Sequence, residues 1–117
     1  MISLRQDVRA GCVVVTVAGE VDMVTAGRLR HAVGTALADA GTSPVVIDLT
    51  GVSFLGSHGL AVLLEARRAA VATLPLRVVV DSTRPVIRPM QVSGVAELLT
   101  LFHDVDDAVA GRPELDA

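Results

Sequence analysis

The chain has 117 residues, a net charge of -3 and 51% apolar content, which suits a single domain with one hydrophobic core. Only 2% of residues are aromatic and there is no Trp or Tyr, so the core must come from Val, Leu, Ile and Ala, and stacking platforms for single-stranded nucleic acid are excluded. All ten basic residues are Arg and form no basic stripe, Cys12 is the only cysteine, and no apolar stretch approaches the ~20 residues that span a bilayer; direct nucleic-acid binding, an internal disulfide and a membrane span all fall away.

Ile2 to Val8 alternates, with Ile2, Leu4 and Val8 on one face, as a half-buried strand does. Arg9-Ala10-Gly11 is a turn. Cys12 to Ala18 is apolar on both faces apart from Thr16, so it reads as a strand buried on both sides and as the partner of the first in a hairpin. Cys12 in that setting is a buried, inert thiol. Gly19-Glu20-Val21-Asp22 ends the strand. Thr25 is the predicted N-cap of a helix whose inner face carries Leu29, Val33, Ala36, Leu37 and Ala40, with Gly41 closing it. Gly27 and Gly34 each cost that helix about 1 kcal/mol relative to Ala, and tight packing on the sheet is one explanation for them.

The third strand is predicted over Val45–Leu49, followed by a turn-rich stretch. A leucine-rich helix follows Ser57 to about Ala72, with Leu60, Leu63, Leu64, Ala70 and Val71 as its core arc. Ala61, Val62 and Glu65 fall outside that arc and form a candidate docking patch. Leu76–Val80 is the fourth strand. Ser82 is the predicted cap of a third helix around Pro85–Val92, in which Pro89 removes a hydrogen bond and introduces a kink. A short strand is expected near Leu98–Leu101. Asp104 caps a last short helix through Val109, and residues 111–117 read as a flexible tail after a domain of 1–110. Strand and helix alternate after an N-terminal hairpin. Short connections and right-handed crossovers then give an α/β fold: a mixed, mostly parallel sheet of four to five strands packed with about four helices.

The most informative position is Ser57, a hydroxyl at a strand-to-helix turn. Local chemistry leaves three roles open: a helix cap, a nucleophile or a phosphate acceptor. A helix N-terminus offers unpaired N–H groups and a positive dipole end, so it tolerates a phosphate well. Leu55-Gly56-Ser57-His58-Gly59 is similar to half of a nucleophile elbow, but Leu55 stands where that motif needs its first glycine. His31 and His103 are predicted on other elements, and Ser57 has no evident base. The three histidines and one cysteine show no metal-ligand spacing, and no phosphate-binding glycine loop is present, so no cofactor is expected.

Val46-Ile47-Asp48-Leu49, Val52-Ser53-Phe54-Leu55 and Ser57-x-Gly59-Leu60 in series resemble the signature of STAS domains, in particular the bacterial anti-sigma factor antagonists. Gly19-Glu20-Val21-Asp22 with Thr25-Ala26 looks like the loop before the first helix of that family. Val86-x-Arg88 and Ser93-Gly94-Val95 look like its later helix and its end. The resemblance covers roughly residues 4–110. It implies a switch and not an enzyme. The unphosphorylated antagonist binds an anti-sigma factor that is also a serine kinase of histidine-kinase-like ATPase fold, and so releases a sigma factor. Phosphorylation of the loop serine, which matches Ser57, expels the antagonist, and a serine phosphatase restores it. The implied partner-binding set is Asp22, Thr25, Gly56, Ser57, His58, Gly59, Ala61, Val62 and Glu65. Gly56 stands where the family usually has Asp, and His58 where it usually has Ser or Thr. These two departures argue for the alternative, a STAS-type interaction module without a phosphorylation cycle. Met1-Ile2-Ser3-Leu4-Arg5 lacks a signal-peptide pattern, so a cytoplasmic location is expected.

Overall fold

The computed structural model describes residues 1–70, 76–81 and 84–112. Strands β1 (Ile2–Arg9) and β2 (Cys12–Val21) form the predicted antiparallel hairpin. Arg9 pairs with Cys12, so Ala10 and Gly11 alone turn the chain, at φ 52° and 79°. Two successive left-handed residues give a turn whose twist matches the strands it joins. The chain continues as α1 (Ala26–Ala40), β3 (Val45–Leu55), α2 (Ser57–Ala69), β4 (Arg77–Val79) and α3 (Arg84–Ser93). A 3-10 turn (Val95–Leu98), β5 (Thr100–Phe102) and α4 (Val105–Ala110) complete it. The sheet order is β1-β2-β3-β4-β5, and every pairing after the hairpin is parallel. This is the mixed, mostly parallel α/β architecture expected from the alternation of elements.

The two faces of the sheet are covered unequally. Val15, Ile47 and Val78 lie in one core with Leu29 and Val33 of α1, Leu63 of α2 and Met90 of α3. Cys12, Val14, Val46, Val79 and Phe102 form a smaller cluster with Ala108 of α4. That helix has six residues and stays at one end of the face, so β2 is buried on both sides there and Thr16 beyond it is half-buried.

β3 does not stop at Leu49. Thr16 pairs with Asp48, but Ala18 pairs with Gly51, so a bulge absorbs the residues that read as a turn, and the strand runs on to Leu55. The bulge takes the Thr50 N–H out of the ladder, and Asp48 replaces the lost partner. Its Oδ1 accepts from the Thr50 backbone N–H at 2.9 Å and from the Thr50 hydroxyl at 2.8 Å. This accounts for a carboxylate that is only 9% exposed. Gly51 permits the close approach of β2: a Cβ there would lie 3.1 Å from the Ala18 Cβ and 3.2 Å from the Val17 carbonyl oxygen.

α3 runs through Pro89 to Ser93, within a residue of the predicted bounds at each end, because Val86 and Met90 are both buried in the core and hold a helix that has lost one backbone bond. Two smaller corrections follow. β5 begins at Thr100, since Val95–Leu98 forms a 3-10 turn that apolar periodicity does not reveal. α2 ends at Ala69, and Val71 and Ala72 lie outside the described residues, as do Ser82 and residues 113–117. Asp104 caps α4 as expected, accepting from the Asp107 N–H at 2.7 Å. Gly111, at φ 71°, closes that helix, and the Arg112 N–H bonds the Asp107 carbonyl at 2.9 Å.

Candidate functional site

The extended β2–β3 ladder builds the site. It persists to the pair Val21–Leu55, so the two strands release their following loops side by side. The Gly56 N–H then donates to the Val21 carbonyl at 3.0 Å, which ties the start of α2 to the end of β2. α2 seats closely because Gly59 faces the strand ends. A Cβ on Gly59 would lie 2.6 Å from Leu55 Cδ1 and 2.7 Å from Val21 Cγ1. Gly59 is therefore buried and supports the surface from below.

Ser57 is exposed at the first helical position of α2, and Gly56, with extended backbone, occupies the N-cap. The plain cap role considered for Ser57 does not apply, because Gly56 and not Ser57 holds the N-cap position. The first intrahelical bond is from the Leu60 N–H to the Gly56 carbonyl at 3.1 Å. The N–H groups of Ser57, His58 and Gly59 are thus left as unpaired donors at the positive end of the helix. Among the described residues no side chain hydrogen-bonds the Ser57 hydroxyl, and His58 is exposed beside it. The arrangement presents a primary alcohol to an incoming group.

The neighbouring loop is organised by Asp22. Its Oδ1 accepts from the N–H of Val24 at 2.9 Å and of Thr25 at 3.0 Å. The Asp22 N–H donates to Thr25 Oγ1 at 2.9 Å, and that hydroxyl lies 2.8 Å from the Glu20 carbonyl, which accepts its proton. The Thr25 N–H, first among these donors, holds the Asp22 carboxyl below its ordinary value. Thr25 occupies the N-cap position of α1 as predicted, but its side chain makes no cap bond there; it closes the loop behind. Asp22 and Thr25 therefore shape the loop, with the Asp22 carboxylate turned inward on its own chain.

The helix face differs from expectation. Ala61 and Glu65 are exposed, but Val62 is 1% exposed and lies in the core with Leu63 and Ala66. Leu60 and Leu64, assigned to the core arc, are only partly buried. The helix is rotated so that Gly59, Val62, Leu63 and Ala66 face inward. Small residues at 59 and 66 let the backbone come close, and this outweighs the preference of the leucines for the centre of the buried face. Glu65 bridges to α1 in a two-pronged pair with Arg30, Nε to Oε1 at 2.8 Å and Nη2 to Oε2 at 3.2 Å. The Arg30 hydrogen bond holds the Glu65 carboxyl low.

Three residues at this end were not singled out from sequence. Met23 is 72% exposed, Val24 81% and Phe54 50%. The only sequence signal for the first two is an apolar pair in a short loop between strand and helix. No group of metal-ligating side chains occurs among the described residues.

A family model described as the STAS domain matches residues 3–108. The chain belongs to the STAS domain family. Its STAS domain is 36% identical over 103 residues to the anti-sigma-F factor antagonist RsfB of Mycobacterium tuberculosis, an alignment covering 86% of this chain and 81% of that protein. The crystal structure of an anti-sigma factor antagonist from Mycobacterium paratuberculosis superposes with a TM-score of 0.87 at 35% identity, covering 95% of this chain and 93% of that one. A more distant structure from Thermotoga maritima, described as a putative anti-sigma factor antagonist, shares the fold with a TM-score of 0.79 at 13% identity, covering 92% of each chain.

Proposed function

We propose that this STAS domain is an anti-sigma factor antagonist acting in the cytoplasm. It binds an anti-sigma factor of histidine-kinase-like ATPase fold and so frees a sigma factor. The observation that carries the reading is Ser57: an exposed hydroxyl with no hydrogen-bond partner among the described residues, on the first turn of α2. The names of the similar mycobacterial proteins support the same role. Phosphorylation moves the γ-phosphoryl group of ATP onto the Ser57 oxygen, with ADP leaving and the hydroxyl proton released. The unpaired N–H groups of the first turn donate to the oxygens of the product phosphate, so the fold is retained. The phosphate adds close to two negative charges to the surface that must dock, and binding is lost. A serine phosphatase reverses the step.

The purified domain should bind an anti-sigma factor of its own organism. Intact-mass analysis after incubation with that protein and ATP should show one added phosphate, absent in Ser57→Ala. Absence of binding to every such factor overturns the reading. A second reading keeps the binding and omits the cycle; Gly56 and His58, in place of the usual Asp and Ser or Thr, favour it. Ser57→Asp separates the two: the switch requires lost binding, and the passive module predicts unchanged binding.

A further inference from the structure

We infer that the sheet face carrying α4 holds a binding site for a free α-amino acid, with Asp48 taking the ammonium group and Arg5 the carboxylate; the inference is independent of the antagonist reading above. α1, α2 and α3 pack on the opposite face, and the six-residue α4 covers only one end of this one. Beside α4 lies a cavity of about 370 Å³, a volume in the range of small-molecule sites. Its lining includes Arg5, Asp7, Thr16 and Asp48, with Val14 and Val105 as apolar walls.

Asp48 supplies the deciding observation. The residue is buried, yet only one of its carboxylate oxygens is engaged. Oδ1 accepts both bonds from Thr50, and Oδ2 accepts none among the described residues. No described side-chain oxygen is both sealed from the surface and unbonded, so Oδ2 reaches an opening, and Asp48 lines this cavity. A desolvated carboxylate oxygen gains most from a charged N–H donor. Thr16 pairs in register with Asp48, and its half-buried hydroxyl makes no bond among the described residues. An ammonium group has three donors to share between the two oxygens. A metal ion is a poorer match, since no group of metal-ligating side chains occurs among the described residues.

The second half of the ligand follows from the register. Arg5 pairs with Thr16 across the hairpin, so Arg5, Thr16 and Asp48 form one row over β1, β2 and β3. Two strand spacings put the ends of that row roughly 10 Å apart. An α-amino acid hydrogen-bonded at both ends spans roughly 9 Å. Arg5 Nε is paired with Asp7 Oδ2 at 3.0 Å, which leaves its terminal amino groups without partners among the described residues. Arg9, also on the lining, is committed to Asp106 of α4. A simple amine would leave the Arg5 donors unused, and a simple carboxylate would meet the buried charge of Asp48. A zwitterion satisfies both ends of the row.

The test is an amide-resolved NMR titration of the whole chain with each of the twenty standard free amino acids at up to about 10 mM. At least one should shift the Thr16, Asp48 and Thr50 amides saturably. Asp48→Asn keeps an acceptor oxygen for Thr50 but removes the charge, and it should raise Kd by about tenfold or more. Arg5→Gln, at an exposed position that does not endanger folding, should weaken binding to a similar degree. Urea denaturation confirms that each variant folds. The methyl ester and the N-acetyl form of the binding amino acid each lack one charge and should each bind about tenfold more weakly or worse. No saturable shift with any amino acid overturns the inference, as do shifts that survive both substitutions. An ester that binds as well as the free acid would mark a plain amine site, and an N-acetyl form that does so would mark a plain anion site; either overturns the assignment.

Discussion

Single glycines show how differently one residue type can act in this chain. Gly59 is held by contact, because any Cβ there meets Val21 and Leu55. Gly34 and Gly27 of α1 are exposed, and a Cβ on either meets nothing within 4 Å, so tight packing on the sheet does not explain them. Gly34→Ala should therefore stabilise the domain by about 1 kcal/mol through helix propensity alone. Gly59→Ala gains the same propensity but overpacks the strand ends, which costs about 1–3 kcal/mol, so the net effect should be destabilising. Urea denaturation of the two variants measures both signs, and equal effects would contradict the packing. Ser57 was legible in the sequence because it stands between a strand pattern and a helix pattern. Its role as N1 and not as cap was not legible, since the choice depends on the backbone of Gly56.

At the scale of elements, β3 decides whether a site exists. Its second half pairs with β2 from Ala18–Gly51 to Val21–Leu55, and Asp48 satisfies the bulge that precedes those pairs. Asp48→Ala leaves the Thr50 N–H and hydroxyl without their acceptor and should cost about 2 kcal/mol. Hydrogen exchange should show faster opening across residues 51–55 while residues 45–47 stay protected; uniform behaviour along the strand would refute the role given to Asp48. The hairpin, α1 and α4 were readable in advance because their signals are local: two turn residues, a periodic apolar face, an aspartate at the cap. The extension of β3 was not, because a Thr-Gly pair reads equally as turn or bulge until a neighbouring strand supplies the ladder. The rotation of α2 was misread for a related reason. Periodicity ranks side chains by hydrophobicity, whereas the sheet selected the face with the smallest residues.

The whole molecule carries net charge -3, and two of its carboxylates, Asp22 and Glu65, titrate below their ordinary values when folded. For both, the unfolded chain binds protons more readily than the folded one. Their contribution to stability is therefore present above the unfolded value of about 4 and is lost as pH falls through the lower folded values. The urea midpoint should hold between about pH 7 and about pH 5 and decline below about pH 4. The double variant Asp22→Asn with Glu65→Gln should show a shallower decline, and an unchanged slope would assign acid sensitivity to other groups. Glu65 joins α1 to α2, and Asp22 shapes the loop before α1, so acid should loosen the functional end of the domain first.

By itself the sequence determined the order of the elements and the hairpin at the start of the sheet, and its motifs already resembled those of the family. These follow from local patterns, namely apolar period, turn residues and motif spacing, which need no knowledge of what lies across the chain. Only the tertiary structure decided that Val62 is core, that Asp22 turns its carboxylate onto its own loop, and that Met23, Val24 and Phe54 stand exposed. Each of these depends on a partner distant in sequence: α1 against α2, one loop closing on itself, β2 in register with β3. Contacts of that kind are settled by how closely two elements can approach, and here the glycines at 51 and 59 set that distance.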